Sequence, residues 1–85
     1  MPEARFAIDS SVLYGLLVLH DADIARVVSA FEVIAADPLG AAQHATCTRR
    51  GRTIHVYRLR GFEIAYTFHK PSNRLWVIDL HPIQL

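Results

Sequence analysis

Val56-Tyr57-Arg58-Leu59-Arg60-Gly61-Phe62-Glu63-Ile64-Ala65-Tyr66 is the stretch whose reading decides the fold. Two alternating runs meet at Arg60-Gly61, the signature of a tight β-hairpin. With Arg60 and Gly61 in the turn, Leu59 pairs with Phe62, Arg58 with Glu63, Tyr57 with Ile64 and His55 with Tyr66. Cross-strand partners share a face. One face is then Tyr57, Leu59, Phe62, Ile64, Tyr66 and Phe68, apolar and aimed at a core. The other is Ile54, Val56, Arg58, Glu63, Ala65 and Thr67, mixed and partly polar. A slip of one residue would turn the aromatic set to water, so the register is strongly specified. Glu63 opposite Arg58 predicts a cross-strand ion pair, worth about 0–1 kcal/mol at an exposed position.

Downstream, Pro71-Ser72-Asn73 marks a turn between strands expected at Phe62–His69 and Arg74–Leu80. Trp76, Ile78 and Leu80 read as the core set of the last strand, leaving Val77, Asp79 and His81 on the open face with Glu63. A four-residue turn gives the opposite phase, so a bulge or a longer turn is required. Upstream, the first hairpin strand is expected to begin at Arg52, after a small and polar loop over Leu39–Gly51 with room for one turn of helix.

Before the loop lie two helical patterns. Leu13, Leu16, Leu17 and His20 share a face of a helix expected over Ser11–His20, with Asp9 and Ser10 as N-cap residues. Ile24, Val27, Val28, Phe31 and Ile34 form the apolar stripe of a second helix, capped by Asp21 or Asp23. Asp37-Pro38 stops it, because the residue before proline is driven out of the α region. Ala4–Ile8 is a short strand candidate. The predicted fold class is α+β, in the order β-α-α-β-β-β: a two-layer domain, with a helical hairpin covering one face of a mainly antiparallel sheet.

Eighty-five residues suit a single domain, 1–85, that buries about 60–65% of its unfolded surface. A hydrophobic content of 52% argues against disorder. No apolar run is long enough to span a membrane, and Met1-Pro2-Glu3 lacks the basic start of a signal peptide. The lone cysteine, Cys47, has no internal disulfide partner, which suits a reducing cytosol. Net charge is only +1, yet Arg49 to Arg74 holds six arginines and one lysine against the single acid Glu63. Such a basic half is compatible with a sheet surface that meets phosphates, and equally with a solvated face.

Other constellations carry less. His20, His44, His55, His69 and His81 lack metal-ligand spacing, so neither a metal nor another cofactor is expected. Ser10 and Ser11 read as cap residues. Tyr57 and Trp76 read as core aromatics of alternating strands, although exposed aromatics would stack on bases. Tyr14 lies off the first helical stripe and is expected at the surface, as part of a partner interface.

The element order, Asp37-Pro38-Leu39-Gly40 after the second helix, and Tyr57-Arg58-Leu59-Arg60-Gly61 followed by Phe62-Glu63-Ile64-Ala65-Tyr66 resemble the RelE/ParE superfamily of type II toxins over nearly the whole chain. The hairpin turn is tighter than the family pattern. The resemblance implies a cytoplasmic toxin paired with a cognate antitoxin, which lays an extended or helical segment over the sheet or helices. In the ribonuclease branch it implies metal-free cleavage of messenger RNA on the ribosome. The RNA 2′-hydroxyl attacks the adjacent phosphate, a cation stabilises the developing charge, and an acid protonates the leaving oxygen.

That branch carries its cation three residues before the tyrosine, where this chain has Glu63. A carboxylate there repels the phosphate, and losing one such donor costs about 10²–10³ in rate. His81, fifteen residues after Tyr66, matches the spacing of a family histidine and suits a general acid. A strand-end histidine packed beside Asp79 is the structural alternative. The implied site is His81, Arg58 and Tyr66, with Arg49, Arg50 and Arg52 as RNA contacts. The gyrase-inhibiting branch lacks the ribonuclease residues. A non-catalytic module, inhibiting gyrase or keeping the fold for association as a homodimer or regulator complex, therefore stands beside the endoribonuclease as a second reading.

Overall fold

A computed structural model describes residues 4–47 and 51–83. The elements are β1 (Arg5–Ile8), α1 (Ser10–Leu17), α2 (Asp21–Ala36), α3 (Pro38–Ala41), β2 (His44–Cys47), β3 (Thr53–Leu59), β4 (Phe62–His69) and β5 (Arg74–Pro82). The strands form one sheet in the order β1-β5-β4-β3-β2. β1 runs parallel to β5, and every other pairing is antiparallel. This is the expected α+β arrangement; α3 is the one turn of helix allowed for after Asp37, and β2 is an addition inside the stretch read as a loop. β2 carries no alternating pattern of its own and exists by pairing His44 with Val56 through Cys47 with Thr53. Such a strand is made by its neighbour rather than by propensity.

The β3–β4 hairpin has the register read from the sequence, from Leu59 with Phe62 to His55 with Tyr66. Gly61, the second turn residue, has φ 86°, a left-handed value that a side chain would resist. Phe62, Ile64 and Tyr66 are buried beneath the helices.

β5 departs from expectation. Leu75 and Val77 are buried, whereas Trp76 is 48% exposed. The four-residue turn Lys70–Asn73 sets this phase, pairing His69 with Arg74 and Tyr66 with Val77. A bulge at Ala65/Tyr66 then shifts the register, so that Ile64 meets Leu80 and Ala65 meets Asp79. The bulge was required, but it acts halfway along the strand. Trp76 therefore leaves the core set, Val77 enters it, and Leu80 stays.

α1 is shorter than expected and is rotated. Its buried residues are Val12 and Leu16, while Leu13, Leu17, Val18 and Tyr14 are exposed. An eight-residue helix laid against β5 presents only a narrow stripe. Asp9 is its cap, accepting from the Ser11 amide. α2 buries Val27, Ala30, Phe31, Ile34 and Ala35. Val28, expected in the stripe, faces out. His20 occupies the cap position of α2 without a side-chain bond. Asp21 and Asp23 instead lie in the first turn, where carboxylates suit the helix dipole. The chain leaves α2 at Asp37, whose carboxylate accepts from the Gly40 amide at 3.1 Å and starts α3 with Pro38 at its first position. Among the described residues no helix is long and apolar enough to cross a membrane.

Candidate functional site

The sheet face away from the helices carries the charged side chains of the hairpin. Arg58 and Glu63 oppose each other across β3 and β4, and His81 opposes Glu63 from β5. The Arg58 guanidinium donates to Glu63 Oε2 from Nη2 at 2.7 Å and from Nε at 3.1 Å. Glu63 Oε1 lies 3.4 Å from His81 Nε2. His81 Nδ1 in turn sits 3.0 Å from Asp79 Oδ2. The result is a chain Arg58–Glu63–His81–Asp79. Glu63 is its most sheltered member, with its side chain 16% exposed against 55% for Arg58.

Backbone geometry holds Arg58 in place. The Gln43 side-chain amide donates to the Arg58 carbonyl and accepts from the Arg58 amide, each at 3.1 Å. A side chain thus replaces the next strand and closes the edge of β3 beyond β2, where an unpaired edge would invite another chain.

The arrangement defines what this end of the sheet can do. Both ring nitrogens of His81 face carboxylate oxygens. The Arg58 cation, however, is spent on Glu63. With two carboxylates against one guanidinium, the cluster is neutral at most even when His81 is protonated. A phosphate meets no net positive charge here.

Tyr66, the third member of the expected set, lies on the opposite face of the sheet. It is fully buried, and its hydroxyl donates to the Pro38 carbonyl at 2.6 Å. Burial first, and the Asp37 charge second, push its hydroxyl up to about 12. It is therefore a packing residue that joins β4 to α3, separated from Arg58 and His81 by the sheet itself. Arg52 is exposed just before β3, six residues and about 20 Å of extended chain from Arg58. Arg49 and Arg50 lie outside the described residues. Arg58 and His81 are thus at one end of the open face, and Arg52 is at the other. Among the described residues no three His, Cys, Asp or Glu side chains are grouped to hold a metal.

Sequence reasoning did not single out Arg5 as a site residue or Arg74 as its partner, and it read Trp76 as core; with Arg52 all three line a cavity. Each opens or follows the opening of a strand. Only the parallel pairing of β1 with β5 brings them together, and no local pattern announces that pairing.

No family profile and no curated protein matches the sequence. Solved structures do match in shape. The isolated E. coli RelE toxin superposes with a TM-score of 0.74, covering 96% of this chain and 86% of its own, at 14% identity. The fold is that of RelE. A chain of the archaeal RelE–RelB complex from Pyrococcus horikoshii OT3 has the same RelE-like fold at TM-score 0.80 and 15% identity, over 95% of this chain and 96% of that one. A chain of the RelBE2 toxin–antitoxin complex from Mycobacterium tuberculosis follows at 0.78 and 16%, over 98% and 94%. The RelE-like fold thus spans the whole described sheet and both long helices. It persists at 14–16% identity, a likeness of fold.

Proposed function

We infer that this protein is the toxin member of a toxin–antitoxin pair, acts in the cytoplasm and is restrained by a cognate antitoxin. The near full-length likeness to chains crystallised in RelE–RelB and RelBE2 complexes supports the pairing. The observation that carries the mechanistic part is the Arg58–Glu63 ion pair. A hairpin whose cation is neutralised by a carboxylate is a poor stabiliser of a phosphorane-like charge. If the hairpin cleaves ribosome-bound messenger RNA, His81 is the acid or base and Arg58 the phosphate contact, at a rate well below that of an arginine-bearing site. The ion pair equally favours the second reading, a toxin that acts by binding a protein such as gyrase, or a fold kept for association alone.

Induced expression in a bacterial host separates these readings. Growth arrest relieved by the neighbouring small reading frame, with cleavage of ribosome-bound transcripts, is the outcome for the nuclease. Relieved arrest with DNA damage and intact transcripts marks gyrase. Absence of arrest, persisting in a Glu63→Arg variant, removes the toxin assignment and leaves the association module.

A further inference from the structure

The open sheet face has two chemically different ends. The hairpin end is the neutral cluster of Arg58, Glu63, His81 and Asp79. The other end is a cavity of about 840 Å³ whose lining includes Arg5, Arg52, Arg74, Thr67, His69 and Trp76. Arg5 and Arg74 are direct partners in the parallel β1–β5 register. Two guanidinium-bearing side chains therefore leave the same face from strands about 4.8 Å apart. Like charges set directly opposite each other oppose folding. Among the described residues neither guanidinium makes a hydrogen bond or ion pair. The acids described on this face, Glu63 and Asp79, are at the far end and engaged with Arg58 and His81. Among the described residues the pair has no counter-charge, and it lines a cavity.

Beside this pair lies an uncovered aromatic surface. Trp76 is two positions along β5 from Arg74, about 6.6 Å on the same face. Its strand partners there are Ala7 on β1 and Thr67 on β4, both too small to shield an indole. Half of the ring is consequently in water at a position that reads as core. Planar guanidinium forks match phosphate oxygens, and an exposed indole accepts a stacked base whatever its sequence. The separation of the two features is of the order of that between a nucleobase and its own phosphate.

We propose that this cavity is a nucleotide-binding site, in which a base stacks on Trp76 and its phosphate is held between Arg5 and Arg74. It is distinct from the hairpin cluster and does not depend on toxin activity. The phosphate-bearing base can come as a free nucleotide or as a unit of a single strand.

Trp76 is the sole tryptophan, so its fluorescence reports the site directly. The experiment titrates the full chain with AMP, adenosine, inorganic phosphate and a short oligoadenylate. Saturable quenching by AMP, with adenosine weaker by about tenfold or more, is expected for a free-nucleotide site. Saturable quenching by the oligoadenylate alone assigns the site to single strands. Arg5→Gln and Arg74→Gln should each weaken binding by about tenfold, while thermal melting stays level or rises because the like-charge opposition is relieved. Trp76→Leu, followed by equilibrium dialysis of labelled nucleotide, should also weaken it. Quenching by none of the probes, equal affinity for AMP and adenosine, or binding indifferent to the arginine and tryptophan substitutions overturns the proposal. A silent growth-arrest assay has no bearing on this binding result, so the two readings fail separately.

Discussion

The Tyr66 hydroxyl donates a 2.6 Å hydrogen bond to the carbonyl oxygen of Pro38. One bond thereby ties the central strand β4 to the turn that ends α2. The aromatic ring fills the core, and its polar tip satisfies a carbonyl at the start of α3 that would otherwise lose its partner on burial. Tyr66→Phe keeps the ring and removes the donor. It should destabilise the fold by about 1–3 kcal/mol in urea unfolding. The open face should be unaffected, so nucleotide titrations of the variant should match the parent.

The same hydroxyl makes stability depend on alkaline pH. Its value is raised from 10.0 to about 12 in the fold. An unfolded chain therefore releases this proton first, and each pH unit above 10 favours unfolding. The contribution is fully present below pH 10 and is lost as pH rises through about 12, amounting to about 2–3 kcal/mol. Melting temperatures measured from pH 9 to 12 should fall more steeply for the parent than for Tyr66→Phe. Parallel curves would remove the argument.

Gly40 is confined by Asp37. A Cβ at position 40 would fall inside van der Waals contact of the Asp37 carboxylate, which caps the Gly40 amide. Gly40→Ala must expel the cap, at about 0.5–2 kcal/mol. Asp37→Ala should cost a similar amount. The double variant should cost no more than either alone, measured by chemical denaturation.

The Arg58–Glu63 pair is half in water on the arginine side. A double-mutant cycle with Arg58→Ala and Glu63→Ala should return a coupling of about 1 kcal/mol or less, shrinking with added salt. Glu63→Arg would place two guanidinium groups opposite each other beside His81, and should lower stability by about 0.2–1 kcal/mol. In return it supplies the cation that a phosphate-cleaving hairpin needs. Transcript cleavage by this variant, if the parent is weak, should rise.

The phase of β5 is open to a direct comparison. Leu75 is 1% exposed and Trp76 is 48% exposed. Leu75→Ala should cost about 2–5 kcal/mol, as a buried truncation that leaves a cavity. Trp76→Ala removes more atoms but should cost under about 2 kcal/mol, since half of that surface is already hydrated. The reverse order in thermal or urea unfolding would contradict the bulged register.

The amino-acid sequence by itself determined the β3–β4 hairpin, its register and the Arg58–Glu63 opposition. Alternation, turn residues and cross-strand pairing are all local, and they agree. It likewise determined α2 and its end at Asp37-Pro38, through a 3.6-residue period and a backbone restriction. Tertiary structure alone decided three things. It made β2 a strand by offering it the edge of β3. It fixed which residues of β5 are buried, because a bulge beside Tyr66 reverses the phase partway along. It also set β1 parallel to β5, which places Arg5 against Arg74 although 68 other residues separate them in the chain. Long-range pairing depends on how the helices and sheet pack as a whole, so no window of sequence encodes it. The grouping of Arg58, Glu63 and His81 on one face was therefore legible in the chain; Tyr66, expected beside them, packs into the core, and the arginine–tryptophan cavity was not legible.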